Sequence, residues 1–265
     1  RGWSRPAEAT GHPPTRSRTG SDPACDDDRM VYLFAHRGGF DSGHRENTIP
    51  ALADALAAGA SLETDVRLSL DGVPVLVHDS YLTGTTWLPR RVRRLSTSRL
   101  EAMGVTPLRR LYEELGSGFQ LSIDLKDPDA GLATIAVARE VGDVSRLWLV
   151  HDSIHVLQRL RRADPDVRLV HETRMRALAR TDTTPEAHMD LLARWRVDAQ
   201  NTHWSRWTPE LLAAARERGL LAFGSIAQLP HQMERALGKG LDGLYTDHVR
   251  DLVRVARDLG IETIP

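Results

Sequence analysis

The sequence predicts an α/β fold, a (β/α)8 TIM barrel with a β-hairpin extension after strand two, and three observations carry that expectation. From Met30 onward, short β-branched or aliphatic runs alternate with longer helical stretches, the rhythm of parallel βα units. The runs number nine, one more than such a barrel needs. The second and third are too close for a parallel crossover and flank Asp71-Gly72, a strong two-residue turn, so they form an antiparallel pair.

The strand candidates are residues 31–35, 62–66, 73–77, 121–125, 147–151, 167–171, 198–202, 220–225 and 243–246. Thr48 and Pro50 open a first helix over 51–58, and Gly59 ends it. Further helices over 132–141, 154–162, 209–218 and 231–237 fall where crossovers are needed. A two-residue turn sets the hairpin register, placing Leu70 opposite Val73, Val66 opposite Val77 and Asp65 opposite His78. The extension then rises above the barrel mouth and folds back.

Composition narrows the function classes. The 265 residues carry 35 Lys plus Arg against 36 Asp plus Glu, without the basic excess that a nucleic-acid binder uses to neutralise many phosphates. No run of about 18 apolar residues exists to span a bilayer. Cys25 is the single cysteine, which excludes an internal disulfide and a cysteine-based zinc site. Residues 1–30 are rich in Pro, small and charged residues and are expected as a disordered tail, leaving 31–265 as one barrel. The composition change at Met30 marks it as the expected start, and with no secretory signal pattern the expected compartment is cytoplasmic.

In such barrels chemistry gathers at the carboxyl ends of the strands. His36-Arg37-Gly38-Gly39 follows the first strand, Glu63-Thr64-Asp65 lies on the second, the hairpin delivers His78-Asp79, and the third barrel strand carries Asp124 and Lys126. Side chains alternate along a strand, so Glu63 and Asp65 share a face, as do Asp124 and Lys126. Three carboxylates converging in the mouth suit a hard divalent cation, Mg²⁺ or Ca²⁺, better than Zn²⁺.

His36-Arg37-Gly38, Glu46-Asn47-Thr48, Glu63-Thr64-Asp65-Val66 and Val75-Leu76-Val77-His78-Asp79 occur in an order and spacing that resemble the glycerophosphodiester phosphodiesterase family of the phospholipase-C-like phosphodiesterases. Ile123-Asp124-Leu125-Lys126 and Asp242-Gly243-Leu244-Tyr245-Thr246-Asp247 extend the resemblance over about residues 31–250. The resemblance implies metal-dependent hydrolysis of glycerophosphodiesters to an alcohol and sn-glycerol 3-phosphate. It implies His36 and His78 as an acid-base pair and Glu63, Asp65 and Asp124 as holders of the ion. Arg37 and Lys126 are the phosphate donors, Arg37 because its planar fork grips two oxygens at once. Glu46 and Asn47, in the loop after the first strand, are candidates to reach the ion or Arg37 or else belong to the entry of the first helix, and Asp79 is a candidate support for His78 or a residue that closes the loop. The resemblance favours attack by the neighbouring glycerol hydroxyl through a cyclic phosphate.

Three departures from the family pattern bear on the substrate site. Asp124 stands where the family usually has Glu, which puts metal affinity in question. Gly84 replaces an Arg, and Gly224 with Ala227 replace a Trp and an Asn, altering the alcohol side. A lysophospholipase D-like or sphingomyelinase D-like lipid phosphodiesterase is therefore the alternative, and a noncatalytic barrel a more distant one. Trp204 and Trp207 are candidate pocket walls or packing residues. His151, His171, Glu172, Asn201 and His203 stand at later strand ends, each more simply read as structural. The arginines at 90, 91, 93, 94 and 99 are a solvated loop or a contact for anionic headgroups at a membrane surface.

Overall fold

The computed structural model describes residues 30–41, 43–83 and 89–264. Expectations for the tail over 1–29, for Cys25 and for Gly84 lie outside the described residues. Met30 itself opens the first strand.

In chain order the strands are β1 (Met30–Ala35), β2 (Ser61–Leu68), β3 (Pro74–Leu76), β4 (Tyr81–Leu82), β5 (Arg90–Arg91), β6 (Thr106–Pro107) and β7 (Leu121–Leu125). They continue as β8 (Leu147–His151), β9 (Arg168–Glu172), β10 (Ala199–His203), β11 (Leu221–Ser225), β12 (Gly243–Thr246) and β13 (Glu262–Ile264). The α-helices are α1 (Ile49–Ala57), α2 (Thr97–Glu101), α3 (Leu108–Leu115), α4 (Ala130–Val141) and α5 (Ile154–Ala163). After them come α6 (Met175–Leu178), α7 (Pro185–Arg194), α8 (Pro209–Glu217), α9 (Pro230–Gly238) and α10 (Val249–Asp258).

Eight parallel strands, β1, β2 and β7 to β12, neighbour one another in sequence, and β12 pairs back onto β1 to close the barrel. All eight barrel strands and the β2/β3 hairpin are therefore where periodicity put them. The strand period of two splits each strand between two cores. Phe34, Trp148, Val150, Val170, Ala199, Phe223 and Tyr245 fill the barrel interior. Leu33, Leu62, Ile123, Leu149 and Leu169 point outward onto the helices. The interior is knitted by aromatic contacts, Phe34 stacking on Tyr245 with ring centroids 4.7 Å apart.

The hairpin register is shifted by one residue from the expected pairing. Val66 pairs with Leu76 and Leu68 with Pro74. Ser69 N donates to Val73 O at 3.0 Å and Gly72 N to Ser69 O at 3.2 Å, so Leu70-Asp71-Gly72 is a three-residue loop, with Gly72 at φ 78° in the left-handed region. That is a turn closed by a glycine bulge, not the two-residue turn that Asp-Gly suggested. The expected direct facing of Asp65 and His78 is thereby displaced by one position. β6 adds a third antiparallel strand on β3, a pairing the sequence reading missed.

Helices α3, α7 and α10 were also not foreseen. Their buried stripes are narrow, only Leu108, Leu111 and Tyr112 in α3 and Met189 and Leu192 in α7. Strand β13 docks on the start of β1, and Ser61 Oγ donates to Ile264 O at 2.8 Å.

Candidate active site

The mouth is assembled from strand ends. After β1 the chain turns sharply, with Arg37 at φ 54°. A left-handed conformation at a non-glycine residue stores strain and marks a position held by its surroundings. Gly38 follows at φ 88°, and a Cβ there would sit 2.8 Å from Ala51 Cβ, so helix α1 packs directly on the turn. The turn aims Arg37 N at Glu63 Oε2, 2.8 Å away.

Three candidate carboxylates, Glu63, Asp65 and Asp124, line one wall built by β1, β2 and β7. Glu63 and Asp65 are buried, and each has a protein cation or donor against it. Asp65 Oδ2 lies 2.9 Å from Arg37 Nε, an ion pair without hydrogen-bond alignment, and accepts from Asn47 Nδ2 at 3.1 Å. Lys126 Nζ bridges Asp124 at 2.5 Å and Asp65 at 3.3 Å. Arg37 also pairs with Glu46 at 3.1 Å. Burial, with Asp65 and Asp124 nearby, raises the Glu63 carboxyl far above the usual carboxylate range despite the opposing charge of His36. Among the described residues no three His, Cys, Asp or Glu side chains are gathered at coordinating distance.

Asn47 is the clamp of this wall. It is 5% exposed and left-handed at φ 56°, and both ends of its amide are engaged. Its Oδ1 accepts from Thr64 Oγ1 at 2.6 Å and from Asp65 N at 3.1 Å, while Nδ2 holds Asp65.

The two histidines differ in their supports. His36 Nδ1 is 2.6 Å from Asp247 Oδ1, and Asp247 is in turn held by Gln228. Burial lowers the affinity of His36 for a proton, but Glu63 and Asp247 outweigh it and push its pKa up to about 9. His78 Nδ1 is 2.9 Å from Asp79 Oδ1, a carboxylate 74% exposed. The sequence reading saw Asp247 only as part of a matching motif and missed its pairing with His36. It also missed Arg67, whose Nε donates to His78 O at 2.8 Å and NH1 to Lys126 O at 3.0 Å, tying the hairpin to the end of β7. Neither was visible in sequence because both contacts span strands.

Of the lower-weight candidates, His171 faces α7, bonding Thr173 at 2.8 Å, and His151 caps its own loop by accepting from Ser153 N at 2.8 Å. Trp204 and Trp207 are buried packing residues, Trp207 Nε1 donating to Phe223 O. Of the arginine run, Arg93 is tied to Asp127 and Asp129. A cleft of about 910 Å³ lies by the starts of β9 and β11, away from the mouth. Three of the five arginines that line it are matched: Arg139 pairs with Asp164 and Asp166, Arg161 with Asp198 and Arg218 with Asp190.

Residues 36–124 match the model of the glycerophosphoryl diester phosphodiesterase family. A glycerophosphodiester phosphodiesterase from Caldanaerobacter subterraneus subsp. tengcongensis is 24% identical over 251 residues, 86% of this chain and 98% of the relative. One from Bacillus altitudinis is 36% identical over 89 residues, 33% of this chain and 35% of the relative. The crystal structure of a Thermotoga maritima glycerophosphodiester phosphodiesterase superposes with a TM-score of 0.74 at 22% identity, covering 86% of this chain and 99% of that one. An Oleispira antarctica phosphodiesterase in complex with the product sn-glycerol-3-phosphate gives a TM-score of 0.71 at 20% identity, over 86% and 97%. Residues 36–124 thus resemble the glycerophosphoryl diester phosphodiesterase family in sequence, and the chain as a whole shares its barrel fold with these solved structures.

Proposed function

We propose that the protein is a metal-assisted phosphodiester hydrolase that cleaves glycerophosphodiesters to an alcohol and sn-glycerol 3-phosphate. The observation that carries the reading is the arrangement at one mouth of His36 backed by Asp247, His78, three carboxylates and two interleaved cations, Arg37 and Lys126. Glu63, Asp65 and Asp124 are an all-oxygen set suited to Mg²⁺ or Ca²⁺. Glu63 is a buried carboxyl whose proton affinity is raised by that burial and by the neighbouring Asp65 and Asp124, outweighing the charge of His36, a setting that an added cation would relieve. Held by these carboxylates, a divalent cation would supply charge neutralisation for the anionic phosphodiester.

Arg37 and Lys126 bind the phosphate, exchanging part of their present ion pairing for the substrate's oxygens. Glu46 and Asn47 hold Arg37 and Asp65 in place, and Asp79 steadies His78. Asp247 favours the protonated form of His36, which serves as the acid and gives its proton to the departing alcohol. His78 serves as the base and takes the proton from the attacking oxygen. That oxygen is the glycerol hydroxyl next to the phosphoester, and water then opens the cyclic phosphate.

The test offers purified protein glycerophosphodiesters and lysophospholipids with Mg²⁺, Ca²⁺ or EDTA and follows the phosphate esters released. Turnover that EDTA abolishes and that falls about a hundredfold to ten-thousandfold in His36→Ala or His78→Ala supports the reading. Full activity in EDTA removes the metal, and turnover of lysophospholipid alone moves the assignment to a lipid phosphodiesterase.

A further inference from the structure

Opposite the crowded wall, the mouth has a second wall on which, among the described residues, two polar side chains, Glu172 and Asn201, have groups without partners. Val150, Val170, Ala199 and Phe223 all face the barrel interior. Two residues beyond Val170 and Ala199 stand Glu172 and Asn201, which the period of two turns to the same side, at the mouth. The two are register partners across β9 and β10. Asn201 is 7% exposed, and its Oδ1 is buried without a hydrogen-bond partner. Among the described residues no hydrogen bond or ion pair engages the Glu172 carboxylate. Its electrostatic neighbours are Asp124, Lys126, Arg174 and Asp152, so it looks across at the candidate phosphate-binding lysine.

Resting on the phosphodiesterase reading, we propose that Glu172 and Asn201 form a hydroxyl-recognition pair that takes the free terminal hydroxyl of the substrate's glycerol. A hydroxyl both donates and accepts, which matches a carboxylate beside an amide that can present either its oxygen or its nitrogen. Buried polar groups without partners in the protein gain most from a ligand that completes them. An ammonium group is a poorer occupant because Lys126 and Arg174 already place positive charge near Glu172. The pair selects deacylated glycerophosphodiesters, since a lysophospholipid carries its acyl chain on that terminal oxygen and offers no donor there.

The 4-nitrophenyl phosphodiesters of glycerol and of propane-1,2-diol share the phosphate, the neighbouring hydroxyl and the leaving group and differ only in the terminal hydroxyl. The wild type should favour the glycerol ester in kcat/KM by about tenfold or more. Glu172→Ala and Asn201→Ala should each bring that ratio toward one. Calorimetric binding of sn-glycerol 3-phosphate against propane-1,2-diol 1-phosphate should show the same preference and the same loss. Equal losses on both esters, a wild-type ratio near one, or a Glu172→Ala effect that follows metal affinity would overturn the pair. If neither ester turns over, the phosphodiesterase reading fails, and the binding comparison still decides the hydroxyl pair.

Discussion

Two buried asparagines face the same mouth in opposite states. Asn47 spends its whole amide on Thr64 and Asp65, whereas the Oδ1 of Asn201 is left open beside Glu172. An unpaired buried amide oxygen costs about 1–3 kcal/mol, which a ligand donating a hydrogen bond to it would recover. The wall of β1, β2 and β7 is pre-assembled, its charges locked against one another. The wall of β9 and β10 is incomplete. The difference teaches where the protein invests rigidity, at the wall of ion pairs, and where it leaves polar groups open, at the wall that carries the proposed hydroxyl pair.

The largest break of this comparison comes from the carboxylates behind the two histidines. Asp247→Asn should cost about a hundredfold in kcat/KM and lower the pKa of His36, read by NMR titration of its ring, because a partly buried carboxylate orients and charges that imidazole. Asp79→Asn should change activity by no more than about twofold, since its exposed pair is screened by water. Equal effects from the two would show that both histidines depend on the same kind of support.

Next in size is Asn47→Ala. It removes three hydrogen bonds and leaves Asp65 less held, so denaturant unfolding should show a loss of about 1–3 kcal/mol together with lower activity. Asn201→Ala should leave stability unchanged or slightly raised, since it deletes an unpaired group.

The smallest and most diagnostic effect is on pH. Both Glu63 and His36 bind protons more tightly in the folded protein than in the unfolded chain. For each, the native state then holds the extra proton as pH rises, and stability falls with pH. The contribution of His36 is fully present below about pH 6.5 and is lost as pH climbs through about 9. Glu63 adds to the same downward slope from the ordinary carboxylate range upward. Thermal melts of metal-free protein should therefore fall from pH 6 to 9, and added Mg²⁺ or Ca²⁺ should flatten the slope. A slope that rises would refute the crowded-carboxylate account.

The barrel itself was legible because hydrophobic periodicity is local: each strand's alternation and each well-capped helix is written in a few neighbouring residues. The hairpin was legible in kind but not in register, since Asp71-Gly72 fits either a two-residue turn or the bulged loop that Ser69 and Val73 close. Helices α3 and α10 escaped because their buried faces are narrow stripes that become apolar surfaces only when laid on the barrel.

By itself the sequence determined which residues could carry chemistry and that they stand at strand ends on one side of a barrel. Residue types and period-two alternation suffice for that, because side-chain direction along a strand is a property of the backbone. Only the tertiary structure decided how those residues are spent. The pairing of His36 with Asp247, 211 positions apart, the link that Arg67 makes from His78 to Lys126, and the unpaired Oδ1 of Asn201 all depend on strands brought together by barrel closure. Whether a polar group has a partner depends on what surrounds it in three dimensions, and that is set only when the ring of strands is complete.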